Sequence, residues 1–201
     1  MGSPGAGAKV RQWVMAELTF PGQRQRTSRT GNPRPSPRPA DPSVRPRGVA
    51  AIAAGLVAGI AYLVTLSVMG SVVDGDGMWN PFHRIAAMLM GPSAMENADA
   101  FNANVVFSAL AVHAGLSMIY GLVMAFLIVE FSQESAPWVG AACGALLYVV
   151  NYYGFTGLYP WMIEMRGVVT FSAHVLFGGL VASCYWPLHE QQDAEAHLSA
   201  G

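Results

Sequence analysis

The chain has 201 residues, of which 53% are hydrophobic and 11% charged, with a mean hydropathy of +0.36 and a formal net charge of −1. Soluble domains carry roughly 25% charged residues, so this composition excludes an ordinary soluble domain. Two cysteines exclude a secreted disulfide scaffold, and the uncharged body excludes a nucleic-acid partner.

Residues 1–47 read as a disordered, basic, Pro/Arg-rich tail. It holds Lys9, Arg11, Arg24, Arg26, Arg29, Arg34, Arg38, Arg45 and Arg47, which leaves Arg84 and Arg166 for the rest of the chain. Repeated proline from Asn32 to Pro42 forbids a helix or an interior strand. The apolar patch of Val10, Trp13, Val14, Leu18 and Phe20 lacks a 3.6-residue period and reads as a sticky part of that tail. No apolar core of a signal peptide follows the first basic residues.

Four long apolar stretches follow, at about 49–73, 103–129, 137–153 and 167–186, and each is expected to be a transmembrane helix. The first would be about 37 Å long as a helix. None has the polar face with which a soluble helix meets water. The expected fold is therefore an all-α membrane protein: residues 48–187 form an antiparallel four-helix bundle, and residues 188–201 an acidic C-terminal tail. Nine cations before the first span place the N-terminus in the cytoplasm, and four spans bring the C-terminus back to the same side. The loops 74–102 and 154–166 then lie outside, where Asp74, Asp76, Glu96, Asp99 and Glu164 outnumber Arg84 and Arg166. Trp79 and Trp161 are expected at the outer interface, Trp138 and Trp186 at the inner one.

Within the first loop, Asn80 and Pro81 look like an N-cap and first turn. They open a short helix over 82–90, with Phe82, Ile85 and Leu89 on one side, which is expected to lie flat on the outer surface. The preceding Asp74-Gly-Asp-Gly fails as a calcium loop, because Met78 and Ile85 stand where oxygen ligands are required. Gly55 and Gly59, Gly140 and Gly144, and Ser117 and Gly121 have the spacing of close helix contacts, either across a dimer or inside one bundle. Cys143 and Cys184 read as inert small core residues.

His113 lies in the second span and His174 in the fourth, and ionisable residues inside spans are functional candidates. Each lies about three residues, or ~4.5 Å, to the outer side of its helix midpoint. Asn102, Ser117 and Tyr120 share the face of His113. Thr170, Gly178 and Tyr185 share that of His174. Beyond them an outer cluster is expected from Asn151, Tyr152, Tyr153, Thr156, Trp161, Glu164 and Arg166, with His83 and Arg84.

Three readings of the histidines stand side by side. They ligate a b-type haem or a metal ion, with Gly115 and Gly178 making room and Tyr120, Asn151, Tyr152, Ser117 and Thr170 as second-layer partners. They titrate along a proton or solute path. Or each satisfies a buried partner such as Tyr120, Asn151 or a backbone carbonyl and locks the bundle.

The strings beginning at His113 (HAGLSMIYG) and Tyr148 (YVVNYYGFT), the Tyr159-Pro-Trp triplet and the string beginning at Ala173 (AHVLFG) resemble a family of small bacterial inner-membrane proteins with four spans. The resemblance covers about 47–187 and implies a bacterial inner-membrane location, without an activity. No catalytic triad, metalloprotease, phosphate-loop or paired-carboxylate pattern occurs, so an enzyme is not expected. The function expected first is an accessory or structural subunit or assembly factor, packing as a homo-oligomer or in a larger membrane complex, with the tail on anionic lipid. A bis-histidine haem or metal protein in electron transfer is the alternative, and an oligomeric channel or carrier the second.

Overall fold

Alanine and glycine recur every three to four residues along the apolar stretches, and that spacing decides which helices touch. A computed structural model describes residues 48–199 of the chain, so the expectations for the basic tail lie outside the described residues. The described residues form five α-helices: α1 (Gly48–Met69), α2 (Asn80–Met90), α3 (Ala103–Ile128), α4 (Ala136–Val149) and α5 (Val168–Ser199). There is no strand among the described residues. Four helical stretches are long and apolar enough to cross a membrane: Gly48–Asp74, Ala103–Ile128, Ala136–Gly157 and Val168–Glu190. They match the four expected spans within a few residues.

The bundle is not a closed square. α1 packs against both α3 and α5, α5 packs against α4, and α3 and α4 scarcely touch. Neighbours therefore run α3–α1–α5–α4, with a gap between the two outer helices. The centre is a seam of small residues: Ala50, Ala51, Ala54 and Ala58 of α1 against Ala173, Val181 and Ala182 of α5, all fully buried. Small side chains let the two backbones approach, and close approach maximises dispersion where lipid removes the hydrophobic drive.

The glycine pairs are engaged inside this one chain. A Cβ on Gly55 would strike the Ser117 carbonyl and lie 3.0 Å from Cα of Gly121, and one on Gly140 would strike the Gly178 carbonyl. Of the two expected arrangements, intramolecular packing is the one observed. Gly178 therefore leaves no room for a macrocycle, because α4 occupies that room.

Several expectations are corrected. Asn80 is not an N-cap: it lies inside α2, whose cap residue Trp79 makes no side-chain hydrogen bond. Its Oδ1 instead accepts from Arg84 Nε one turn on, because proline already serves the first turn without a donor. The buried face of α2 is Pro81, His83, Ala86 and Ala87, whereas Leu89 is 69% exposed. Two further alanines, Ala94 and Ala109, complete that contact, since small residues seat α2 against the start of α3. Asn102 takes the capping role for α3, accepting from the amides of Asn104 and Val105, and so lies apart from His113.

The last span does not stop before a tail. α5 continues helical through Pro187 to Ser199, although proline removes one backbone hydrogen bond. Trp186 packs against the core with its indole nitrogen buried and unpartnered, while Trp138 is 80% exposed. Tyr185 is fully buried among the rings of Trp186 and His189, far along α5 from His174. Cys143 and Cys184 are free and pack against the core.

Candidate functional site

Tyr62 is the single aromatic of α1, and it organises the polar end of the bundle. Its ring stacks on His113 of α3, with centroids 5.4 Å apart and planes 19° from parallel. It meets His174 of α5 edge to face at 4.8 Å and 88°. The two histidines, from different helices, therefore pack on the same tyrosine ring. Tyr148 and Tyr152 approach His174 from α4 and the turn beyond it, at 5.7 and 5.4 Å. His174 is thus enclosed by three tyrosine rings and is 3% exposed.

Each imidazole is held by hydrogen bonds. His113 Nε2 donates to the carbonyl of Gly59 at 2.9 Å. His174 Nδ1 donates to the carbonyl of Thr170, one turn earlier, at 2.8 Å. Asn151 Nδ2 donates to His174 Nε2 at 3.3 Å, and Tyr120 Oη donates to Asn151 Oδ1 at 2.8 Å. These bonds assign the proton of His113 to Nε2 and that of His174 to Nδ1. Tyr120, Asn151, His174 and Thr170 form one chain of bonds across three helices. Thr170 enters it through its backbone, not its hydroxyl.

Local backbone explains how Asn151 and Tyr152 reach this point. After Val149 the helix widens into a π-helical turn, Val150–Gly154, which shifts the side chains of that turn relative to a regular α-helix. Arg166 Nε donates to the Tyr152 carbonyl at 2.8 Å and its guanidinium lies 4.1 Å over the Tyr153 ring, which ties the turn to the start of α5. Arg84 pairs with Glu164 at 3.1 Å, and Trp161 Nε1 donates to the Arg84 carbonyl. Most of the expected outer cluster is therefore brought together. His83 instead turns inward, with Nδ1 2.6 Å from the Ala94 carbonyl oxygen and Nε2 3.0 Å from that of Ala100, and closes the long connection before α3.

A cavity of about 250 Å³ occupies the gap between α3 and α4. Tyr62, His174 and Phe177 form its floor. His113, Leu116, Ser117 and Tyr120 line one wall, and Leu147, Asn151 and Tyr152 the other. Ile85 and Met88 of α2, with Phe155, Leu158, Tyr159 and Met162, form the cover. Of the expected site residues, only Thr170 stands outside this lining. The Ser117 hydroxyl is wedged against Gly59, buried and without a partner.

Sequence reasoning missed Tyr62. Its signal was a lone phenol in an otherwise aliphatic span. The widened turn and the separation of α3 from α4 were missed as well.

Bis-histidine ligation of a haem does not fit this arrangement. Two axial ligands need both free nitrogens turned to a shared space. Here Nε2 of His113 is bonded to the Gly59 carbonyl and Nε2 of His174 faces the Asn151 amide, so neither nitrogen is turned to a shared space. No group of three or more metal-ligating side chains occurs among the described residues. Comparison with protein-family models, with curated proteins and with solved structures finds no match.

Proposed function

We infer that this chain is a multi-pass protein of the bacterial cytoplasmic membrane, with both termini in the cytoplasm, and that it acts as an accessory subunit of a larger membrane complex. The observation that carries the reading is the engagement of both imidazoles with the bundle itself: the polar groups inside the spans clamp helices to one another. That is the chemistry of a scaffold. The channel reading has less support, because Phe177, Val181 and Tyr185 fill the bundle below the cavity.

The orientation is supported by charge. Nine Lys and Arg precede the first span, and cationic flanks stay in the cytoplasm. A tail of that charge is attracted to anionic lipid at about 1 kcal/mol per basic residue near the surface. The glycine faces are engaged within the chain, so a partner meets the exposed apolar faces of α3 and α4, which include Phe107, Phe126 and Leu146.

Purification of the tagged chain from its own membranes in a mild detergent tests this reading. Native gels and mass spectrometry are expected to find it with one larger complex at a fixed ratio. Migration as the lone chain after chemical cross-linking in intact membranes would contradict it.

A further inference from the structure

The gap between α3 and α4 carries more hydrogen-bond donors than the bundle accepts. Asn151 has two amide hydrogens; one goes to His174 Nε2, and the hydrogen bonds of the bundle provide no acceptor for the other. The hydroxyls of Tyr62 and Tyr152 meet at 3.3 Å. One donates to the other, so the accepting hydroxyl keeps its own hydrogen unpaired. Both tyrosines are buried, where an unpaired donor is unfavourable. An oxygen acceptor delivered into the cavity would satisfy these groups.

Four further observations narrow the occupant. No charged side chain lines the cavity, so nothing there compensates a phosphate. Apart from His113, His174, Ser117 and Asn151, the lining is aliphatic and aromatic, with Phe177 as a flat surface. Its volume of about 250 Å³ falls just under the roughly 300 Å³ at which pockets for drug-sized molecules begin, which suits one ring. Access is sideways: α3 and α4 scarcely touch, and Leu116 and Leu147 are only partly buried beside the gap.

The geometry points to a binding site, between α3 and α4, for a neutral membrane-dissolved ring compound bearing a carbonyl oxygen, of the quinone class. The carbonyl accepts from the Asn151 amide or the tyrosine pair. The ring lies against Phe177, and an alkyl tail leaves between Leu116 and Leu147 into the bilayer. This site does not rest on the subunit reading above.

The test uses the full chain in phosphatidylcholine nanodiscs, with a radiolabelled short-chain benzoquinone as the probe. Saturable binding of one equivalent per chain is expected. Leu147→Trp fills the gap and is expected to weaken binding by more than about tenfold. Tyr120→Phe, which frees Asn151 Oδ1 and loosens the wall, is expected to change it by about threefold. Ile119→Trp, on the exposed face of α3, is expected to change nothing. Should Leu147→Trp fail to fold by circular dichroism, Leu116→Phe serves in its place. Non-saturable uptake, equal binding by the filled and unfilled chains, or a phospholipid in the gap that the quinone does not displace would each overturn the proposal.

Discussion

Tyr62 and His174 meet edge to face in the middle of the bundle, ring centroids 4.8 Å apart. Through this contact α1 touches α5, and through its stacked face Tyr62 reaches His113 on α3. One phenol therefore joins three helices. Tyr62→Phe keeps both ring contacts and loses only the hydroxyl pair with Tyr152. It is expected to cost about 0.6 kcal/mol, the usual value for a hydrogen bond between membrane helices. Tyr62→Ala removes the ring and is expected to cost about 3–5 kcal/mol. Thermal unfolding in detergent separates the two.

The glycines divide into those at helix crossings and those facing open space. Gly55→Leu drives a side chain into the Ser117 carbonyl, and Gly144→Leu drives one into the His174 carbonyl. Each is expected to destabilise by about 1–3 kcal/mol or more, because a backbone contact has no rotamer with which to yield. A methyl group on Gly115 would meet nothing within 4 Å, so Gly115→Ala is expected to stay within about 0.5 kcal/mol of the parent. Equal losses at Gly55 and Gly115 would show that α1 and α3 do not cross here.

Two cations near the loops have different roles. Glu164 is 70% exposed, so Glu164→Gln is expected to cost no more than about 1 kcal/mol, and less in high salt. Arg166→Lys keeps the charge but loses the planar donor that serves the Tyr152 carbonyl and the Tyr153 ring. A loss of about 1–2 kcal/mol, largely insensitive to salt, is expected in thermal unfolding.

Much of this architecture is legible in the sequence, for a physical reason. A span must be uniformly apolar and about 20 residues long whatever its neighbours do, so hydropathy alone finds the four helices. That His113 and His174 come near one another follows from counting residues along two helices of known pitch. What is not legible depends on neighbours. Gly178 reads equally well as an open face or a crossing point until α4 is placed against it. Asn80 has the composition of a cap, yet serves Arg84. The polar residues after Pro187 read as a tail, although the backbone remains helical to Ser199. The cavity depends on α3 and α4 failing to pack, and no local pattern in either helix encodes a missing neighbour.

The orientation yields its own prediction. Trypsin added to right-side-out vesicles is expected to leave the stretch from Arg24 to Arg47 uncut, and to cut it in inverted vesicles. Cleavage in the right-side-out preparation would reverse the topology.

The central claim is that His113 and His174 are clamps within the bundle. Nitrogen-15 spectra of the histidine-labelled protein in lipid test it most directly. Opposite tautomers are expected: the proton on Nε2 of His113, facing the Gly59 carbonyl, and on Nδ1 of His174, facing the Thr170 carbonyl. Among the signals of the five histidines, His113→Ala and His174→Ala should each remove its own set and leave the other's. Ring-nitrogen shifts characteristic of metal ligation in both residues, together with a Soret band in the same sample, would contradict the account.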